Sequence, residues 1–119
     1  MRFSLKKTED FKKVYDEKKS YATKNIVLYI LKNVEMESNR LGISVSKKVG
    51  NSVIRHLLTR RAREIFRLAN RFLTKGIDIV IVFRKGADEV SFEDLKNSFF
   101  QLLKRHKILN EENLYFSNK

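Results

Sequence analysis

Apolar and polar residues alternate along this chain with two periods, and the change of period marks out its elements. Phe11, Val14 and Tyr15 share one face of a short helix. Thr8 is suited to cap that helix, with Glu9 and Asp10 in the first turn where the helix dipole favours anions, and its end is expected near Lys18 and Lys19. Residues 24–32, KNIVLYILK, are rich in β-branched side chains and bounded by polar ones, which predicts a strand. Ile26, Leu28 and Ile30 point to one face; Val27, Tyr29 and Leu31 point to the other. Residues 33–39 form a polar connection. Residues 40–46 predict a second strand, with Leu41, Ile43 and Val45 toward the core and the small residues Gly42, Ser44 and Ser46 opposite. If the two strands pair, Tyr29 stands beside that flat strip, which leaves room for a ligand on the sheet; an ordinary solvent face would look the same.

The period then becomes helical. Leu58, Ala62, Ile65, Ala69 and Phe72 make one apolar stripe, with Ile54 at its edge, and Arg60, Arg63 and Arg67 lie opposite it three or four residues apart. Gly76 is placed to supply a left-handed cap beyond this helix. Residues 77–83, IDIVIVF, are apolar at nearly every position, as in a strand covered on both faces. Residues 84–90 read as a turn. Ser91, with Asp94 three residues on, opens a last helix whose buried stripe is Phe92, Leu95, Phe99, Leu102 and Leu103. Lys104, Arg105 and Lys107 at its far end complement the dipole without any ligand. The order α-β-β-α-β-α predicts a single-domain α/β sandwich over residues 1–109. In it the second strand, the long helix and the third strand form a βαβ unit, a crossover that is ordinarily right-handed. Residues 110–119 read as a tail. They contain Glu-Asn-Leu-Tyr-Phe, the start of a protease site common in recombinant proteins, with Ser117 where Gln would follow, and receive no role.

Charge changes the picture. The 119 residues carry 26 Lys and Arg against 14 Asp and Glu, a formal net charge of +12. Between Arg40 and Lys75 there are ten basic residues and one acid, Glu64. An ordinary solvated helix face mixes signs to avoid self-repulsion, so a face this poor in carboxylates points to a polyanion. No cysteine is present, which removes disulfides, thiolate catalysis and cysteine-ligated zinc. No apolar run approaches the roughly 18 residues of a membrane span, and the opening MRFSLKKTEDF does not resemble a secretory signal. A cytoplasmic location is therefore expected. Catalytic groups are sparse. His56 and His106 have no metal-ligand spacing, Gly50 belongs to no phosphate-binding fingerprint, and the adjacent carboxylates (Glu9 and Asp10, Asp88 and Glu89, Glu93 and Asp94) diverge on their helix or turn. If the chain takes part in catalysis, another molecule supplies the reactive centre. Two readings follow: a non-catalytic basic RNA-binding or ribosomal-type module, and an autonomous nuclease, for which converging acids are missing.

Several stretches resemble one family. LKKTEDFKKVYDEKKS, IVLYILKN, and above all GISVSKKVGNSVIR followed by TRRAREIFR are similar to the protein subunit of bacterial ribonuclease P, over roughly Leu5 to Leu109. The family signature is matched at Lys47, Lys48, Gly50, Asn51, Arg55, Arg60 and Arg63. The chain departs from it at His56 and Leu57, where the family has Asn and Arg, and at Thr59, usually basic. The resemblance implies a ribonucleoprotein endonuclease that removes the 5′ leader of precursor tRNA, with the Mg²⁺ ions held by the RNA subunit and substrate. It implies that Lys47, Lys48, Asn51, Arg55, Arg60, Arg63 and Arg67 face the catalytic RNA. It also implies that Phe11, Tyr15, Val27 and Tyr29 line a cleft for the leader, between the first helix and the sheet. Finally, it implies a left-handed βαβ crossover, against the ordinary rule.

Overall fold

In the computed structural model, which describes residues 4–33 and 35–109, three helices and four strands follow one another as α-β-β-β-α-β-α. The helices are α1 (Thr8–Asp16), α2 (Ser52–Asn70) and α3 (Phe92–Arg105). The strands are β1 (Ser20–Ala22), β2 (Ile26–Lys32), β3 (Arg40–Ser44) and β4 (Ile77–Phe83). A 3₁₀ turn covers Ala87–Glu89. The tail at 110–119 lies outside the described residues.

The sheet order is β1-β2-β4-β3. β4 lies antiparallel to β2 and parallel to β3, so it separates the two strands whose pairing the sequence left conditional. The βαβ unit expected from the sequence is present as β3-α2-β4. β1 is an addition: three residues pair antiparallel with β2, Ser20 opposite Tyr29 and Ala22 opposite Val27. Nothing in three residues with a single aromatic distinguishes them from a turn; β2 makes them a strand.

One face of the sheet is a dry core. Ile26, Leu28, Ile30, Ile79 and Ile81 are at most 2% exposed and pack beneath the stripes of α2 and α3, where Leu58, Ala62, Phe99, Leu102 and Leu103 are fully buried. Burial on this scale, at about 25 cal/mol per Å² of apolar surface, is the main term opposing chain entropy. α2 starts with Asn51, whose Oδ1 accepts from the Ile54 amide at 3.0 Å. α3 starts with Ser91, whose hydroxyl accepts from the Asp94 amide at 3.1 Å. Each cap satisfies one of the amides a helix leaves unpaired at its start. α1 differs from expectation. Its cap position is Lys7, without a side-chain bond, and Thr8 is already helical. The helix stops at Asp16, and Lys18 takes a left-handed conformation (φ 58°).

Gly76 is left-handed (φ 76°), but for a reason other than helix capping, since α2 ends six residues earlier. It turns the chain into β4 beneath the carbonyl oxygens of Asn33 and Met36. A Cβ there would come within 2.6 and 2.7 Å of them, so no other residue fits.

Among the described residues, Asn39 and Asp78 are the buried polar side chains. Asn39 donates to Asn70 Oδ1 at 2.9 Å and accepts from the Ile77 amide at 2.8 Å, joining the end of α2 to the starts of β3 and β4. Asp78, 2% exposed inside an apolar strand, receives both Nε and Nη2 of Arg40 at 2.9 and 2.7 Å. Asp10 of α1 stands 3.8 Å from the same guanidinium. The hydrogen bonds to Asp78 raise the Arg40 pKa. A buried carboxylate is tolerated only when paired in this way, so Arg40 belongs to the fold and not to the polyanion-facing set.

Candidate RNA interface

The second face of the sheet is only partly covered. α1 packs across β2 and β4 through Val14, which is buried, and through Phe11 and Tyr15, which are half-buried. Tyr15 meets Tyr29 edge to face at 4.9 Å, and Phe11 lies 6.4 Å from Tyr15, so three rings form a connected row. Such geometries suit the ring quadrupoles and hold the rings in place. Phe11 occupies the space above Gly42: a Cβ on Gly42 would lie 2.8 Å from the Phe11 ring and 3.2 Å from Leu5. The small-residue strip of β3 is therefore not open along its length. Its Gly42 end is the floor on which Phe11 rests. Tyr29 is not beside Gly42 either, because Val80 of β4 is registered between them.

What remains open is the next row of the sheet. Register aligns Ala22, Val27, Val82 and Ser44 across the four strands, all half-buried. The row borders Tyr29 on one side. At its β3 end the chain continues into the exposed Lys47 and Lys48, and then to the cap of α2. Of the four cleft candidates, Phe11, Tyr15 and Tyr29 make the aromatic row and Val27 lies in the open row. Ala22 and Val82 were missed because strand order alone brings them there.

The basic set divides by surroundings. Arg60 and Arg63 are exposed on the outer face of α2, as are Lys47 and Lys48 ahead of it. Arg67 is exposed but held by Glu64, with Nη2 and Nε at 2.6 and 3.1 Å from its two oxygens. That pairing lowers the Glu64 pKa and raises that of Arg67. In water such a pair is worth little, and a stronger anion would displace it. Asn51 spends its carboxamide oxygen on the cap and keeps its amide nitrogen outward-available by exposure. Arg55 is half-buried, with Nε buried and unbonded, while its backbone carbonyl accepts from the Thr59 hydroxyl at 2.8 Å. Arg61, the remaining cation of this helix segment, turns inward to the Val90 carbonyl at 2.9 Å. At the positions where the signature departs, His56 is exposed and Leu57 half-buried.

Among the described residues, no three His, Cys, Asp or Glu side chains gather to hold a metal ion, and no helix is long and apolar enough to cross a membrane. The open apolar row, the aromatic row and the cationic helix can bind and orient a flexible polyanion.

Comparison with known proteins finds relatives across most of this chain. Residues 2–107 match the family model described as Ribonuclease P. The ribonuclease P protein component of Lachnoclostridium phytofermentans is 47% identical over 106 residues, spanning 89% of this chain and 90% of that protein. The structure of the Staphylococcus aureus RNase P protein superposes with a TM-score of 0.82 at 35% identity, covering 91% of this chain and 98% of that one. The Thermotoga maritima RNase P protein gives 0.77 at 37% identity, covering 86% and 96%.

Proposed function

Since the chain belongs to the ribonuclease P protein family, we propose that it binds the catalytic RNA of that enzyme along α2 and the 5′ leader of precursor tRNA across the open row of the sheet. The observation that carries this reading is the continuity of the two surfaces. Lys47 and Lys48 bridge the strip at Ser44 to the exposed Arg60 and Arg63, so one RNA-bound protein can present a groove to a second strand.

The division of labour follows from what each surface offers. On α2, guanidinium and ammonium groups neutralise phosphates and release counterions, an affinity that carries little sequence information. Contact with about six phosphates implies that raising salt from ~50 to ~200 mM weakens binding roughly a thousand-fold. In the groove, Tyr29, Tyr15 and Phe11 offer ring surface to unpaired bases, and Val27 an apolar floor. Stacking accepts any base, as a subunit serving many leaders requires. The hydrolytic chemistry is supplied by metal ions, Mg²⁺ in our reading, held by the RNA subunit and substrate. This chain's residues bind and orient. We further read residues 1–109 as a single RNA-binding domain and the site of action as the cytoplasm.

The test is cleavage of precursor tRNA by protein alone, RNA subunit alone and the two together at low Mg²⁺. Enhanced turnover only with both is the expected result. Cleavage by protein alone would overturn the reading in favour of an autonomous nuclease, and no enhancement would favour a basic RNA-binding module outside this enzyme.

A further inference from the structure

A second basic surface lies away from both α2 and the aromatic row. At the β1 edge of the sheet, residues 18–21 and 105–107 line an open groove of about 420 Å³. β1 and β3 are the two outer strands, so this groove and the start of α2 sit at opposite edges. The Tyr21 side chain shares the sheet face of its partner Leu28, the face beneath α3, whereas Tyr29 looks to the other side.

The lining is cationic and contains no carboxylate: Lys18, Lys19, Arg105 and Lys107, with His106 at the back. The nearest acid contact is Glu17, 3.7 Å from Lys19 Nζ. Tyr21 is 39% exposed, the most exposed aromatic side chain among the described residues. The Arg105 guanidinium lies 4.2 Å over its ring, and the His106 ring meets it edge-on at 4.7 Å. His106 Nε2 donates to the Leu28 carbonyl at 3.0 Å, which fixes the imidazole against the sheet. The ring and guanidinium are thus built into position, not loose on a surface.

The backbone adds an independent observation. Lys18 and Lys107 are, among the described residues, the two non-glycine residues with positive φ, at 58° and 57°. They follow the ends of α1 and α3 and border the same groove. Glycine is the low-energy choice at such positions, and lysine there is strained. Helix termination explains the conformation but not the choice of lysine at both ends.

We propose that this groove binds the phosphates of an unpaired stretch of RNA, with Lys18, Lys19 and Lys107 on the backbone and the Tyr21–Arg105 pair as a stacking platform for a base. The inference rests on the reading of this chain as an RNA-binding subunit. It adds a second contact on the far edge of the sheet, so that the protein is held by RNA from two sides. Four cations with only Glu17 beside them repel one another unless a polyanion lies between them, and an exposed tyrosine backed by guanidinium matches the stacking sites of single-strand binders.

Lys18→Gly with Lys107→Gly separates charge from fold, because glycine relaxes both backbones. The probe is an eight-residue oligouridylate titrated into the full-length protein, with affinity read from the backbone amide resonances of residues 18–21 and 105–107. We expect these amides to shift saturably. The double glycine variant should melt no lower than the parent, bind more weakly at the groove, and lose about 1.4 from the log–log salt slope, two phosphates at ~0.7 each. Tyr21→Ala should weaken groove binding roughly five- to hundred-fold. Shifts confined to α2 and the aromatic row, or parental affinity and slope in the glycine variant, would overturn the groove while leaving the main reading intact. Failure of the α2 amides to respond as well would remove both.

Discussion

The two faces of the sheet are built from much the same residue types and do opposite things. Toward α2 and α3, isoleucine and leucine are closed off from water. Toward α1, Val27, Tyr29, Leu31 and Val82 stay half-buried, because a nine-residue helix that buries only Val14 spans part of the face. The apolar surface left open is thus fixed by the length and position of α1, not by a shortage of apolar side chains. Stability resides on one face, and the other is free to bind.

That contrast can be broken most forcefully from the closed side. Phe99→Ala removes a fully buried ring and should cost about 3–5 kcal/mol of folding stability in thermal or denaturant unfolding, while the folded fraction still distinguishes leader-bearing from leaderless tRNA. On the open side, Tyr29→Ala should weaken precursor tRNA binding by about 1–3 kcal/mol per stacked base in the assembled enzyme and leave mature tRNA nearly unaffected. Equal losses for both substrates would make Tyr29 a core residue and erase the distinction between the faces. Smaller again, Arg60→Ala should lower the salt slope for the catalytic RNA by about one unit without shifting the melting temperature. Arg67→Ala should do less, since Glu64 already competes for that guanidinium. The smallest effect expected is one of pH. Burial, aided by the neighbouring Arg105 charge, lowers the His106 pKa against the opposing hydrogen bond to Leu28. A group that is harder to protonate when folded stabilises the fold above its unfolded pKa near 6.5, and that contribution fades as pH falls. His106→Gln should flatten the acid limb of a stability–pH curve.

How much of this was legible in the sequence varied with the range of the interaction. β4 was read to the residue, because six apolar positions in seven, between a glycine turn and Arg84, leave little choice. The stripes of α2 and α3 and the Ser91 cap were equally plain, since periodicity and capping are local. β1 was not legible, as it is a strand only by virtue of its pairing with β2. Nor was the position of β4 between β2 and β3: alternation tells which face a side chain takes, not which strand lies next to it. Gly42 illustrates the consequence. Read as part of an open strip, it is the seat of Phe11, thirty-one residues earlier, and no local pattern links the two. In the candidate site, the family signature located the α2 cations, but the sequence could not separate Arg61 and Arg67, which have partners, from Arg60 and Arg63, which stand in solvent. Nor does any local pattern pair the carboxylate at 78 with Arg40, thirty-eight residues earlier.

The insertion of β4 has a further bearing, on the order in which the molecule can come into being. Among the named strands, β3 is bonded to β4 alone, and β2 reaches β3 only through it. During synthesis the β1–β2 hairpin and β3 emerge with nothing to join them, and the sheet closes only when residues 77–83 arrive and thread between. Because that closure links distant segments at once, the loop entropy falls on a single late step. A nascent chain stopped short of Ile77 lacks the one strand that joins β2 to β3.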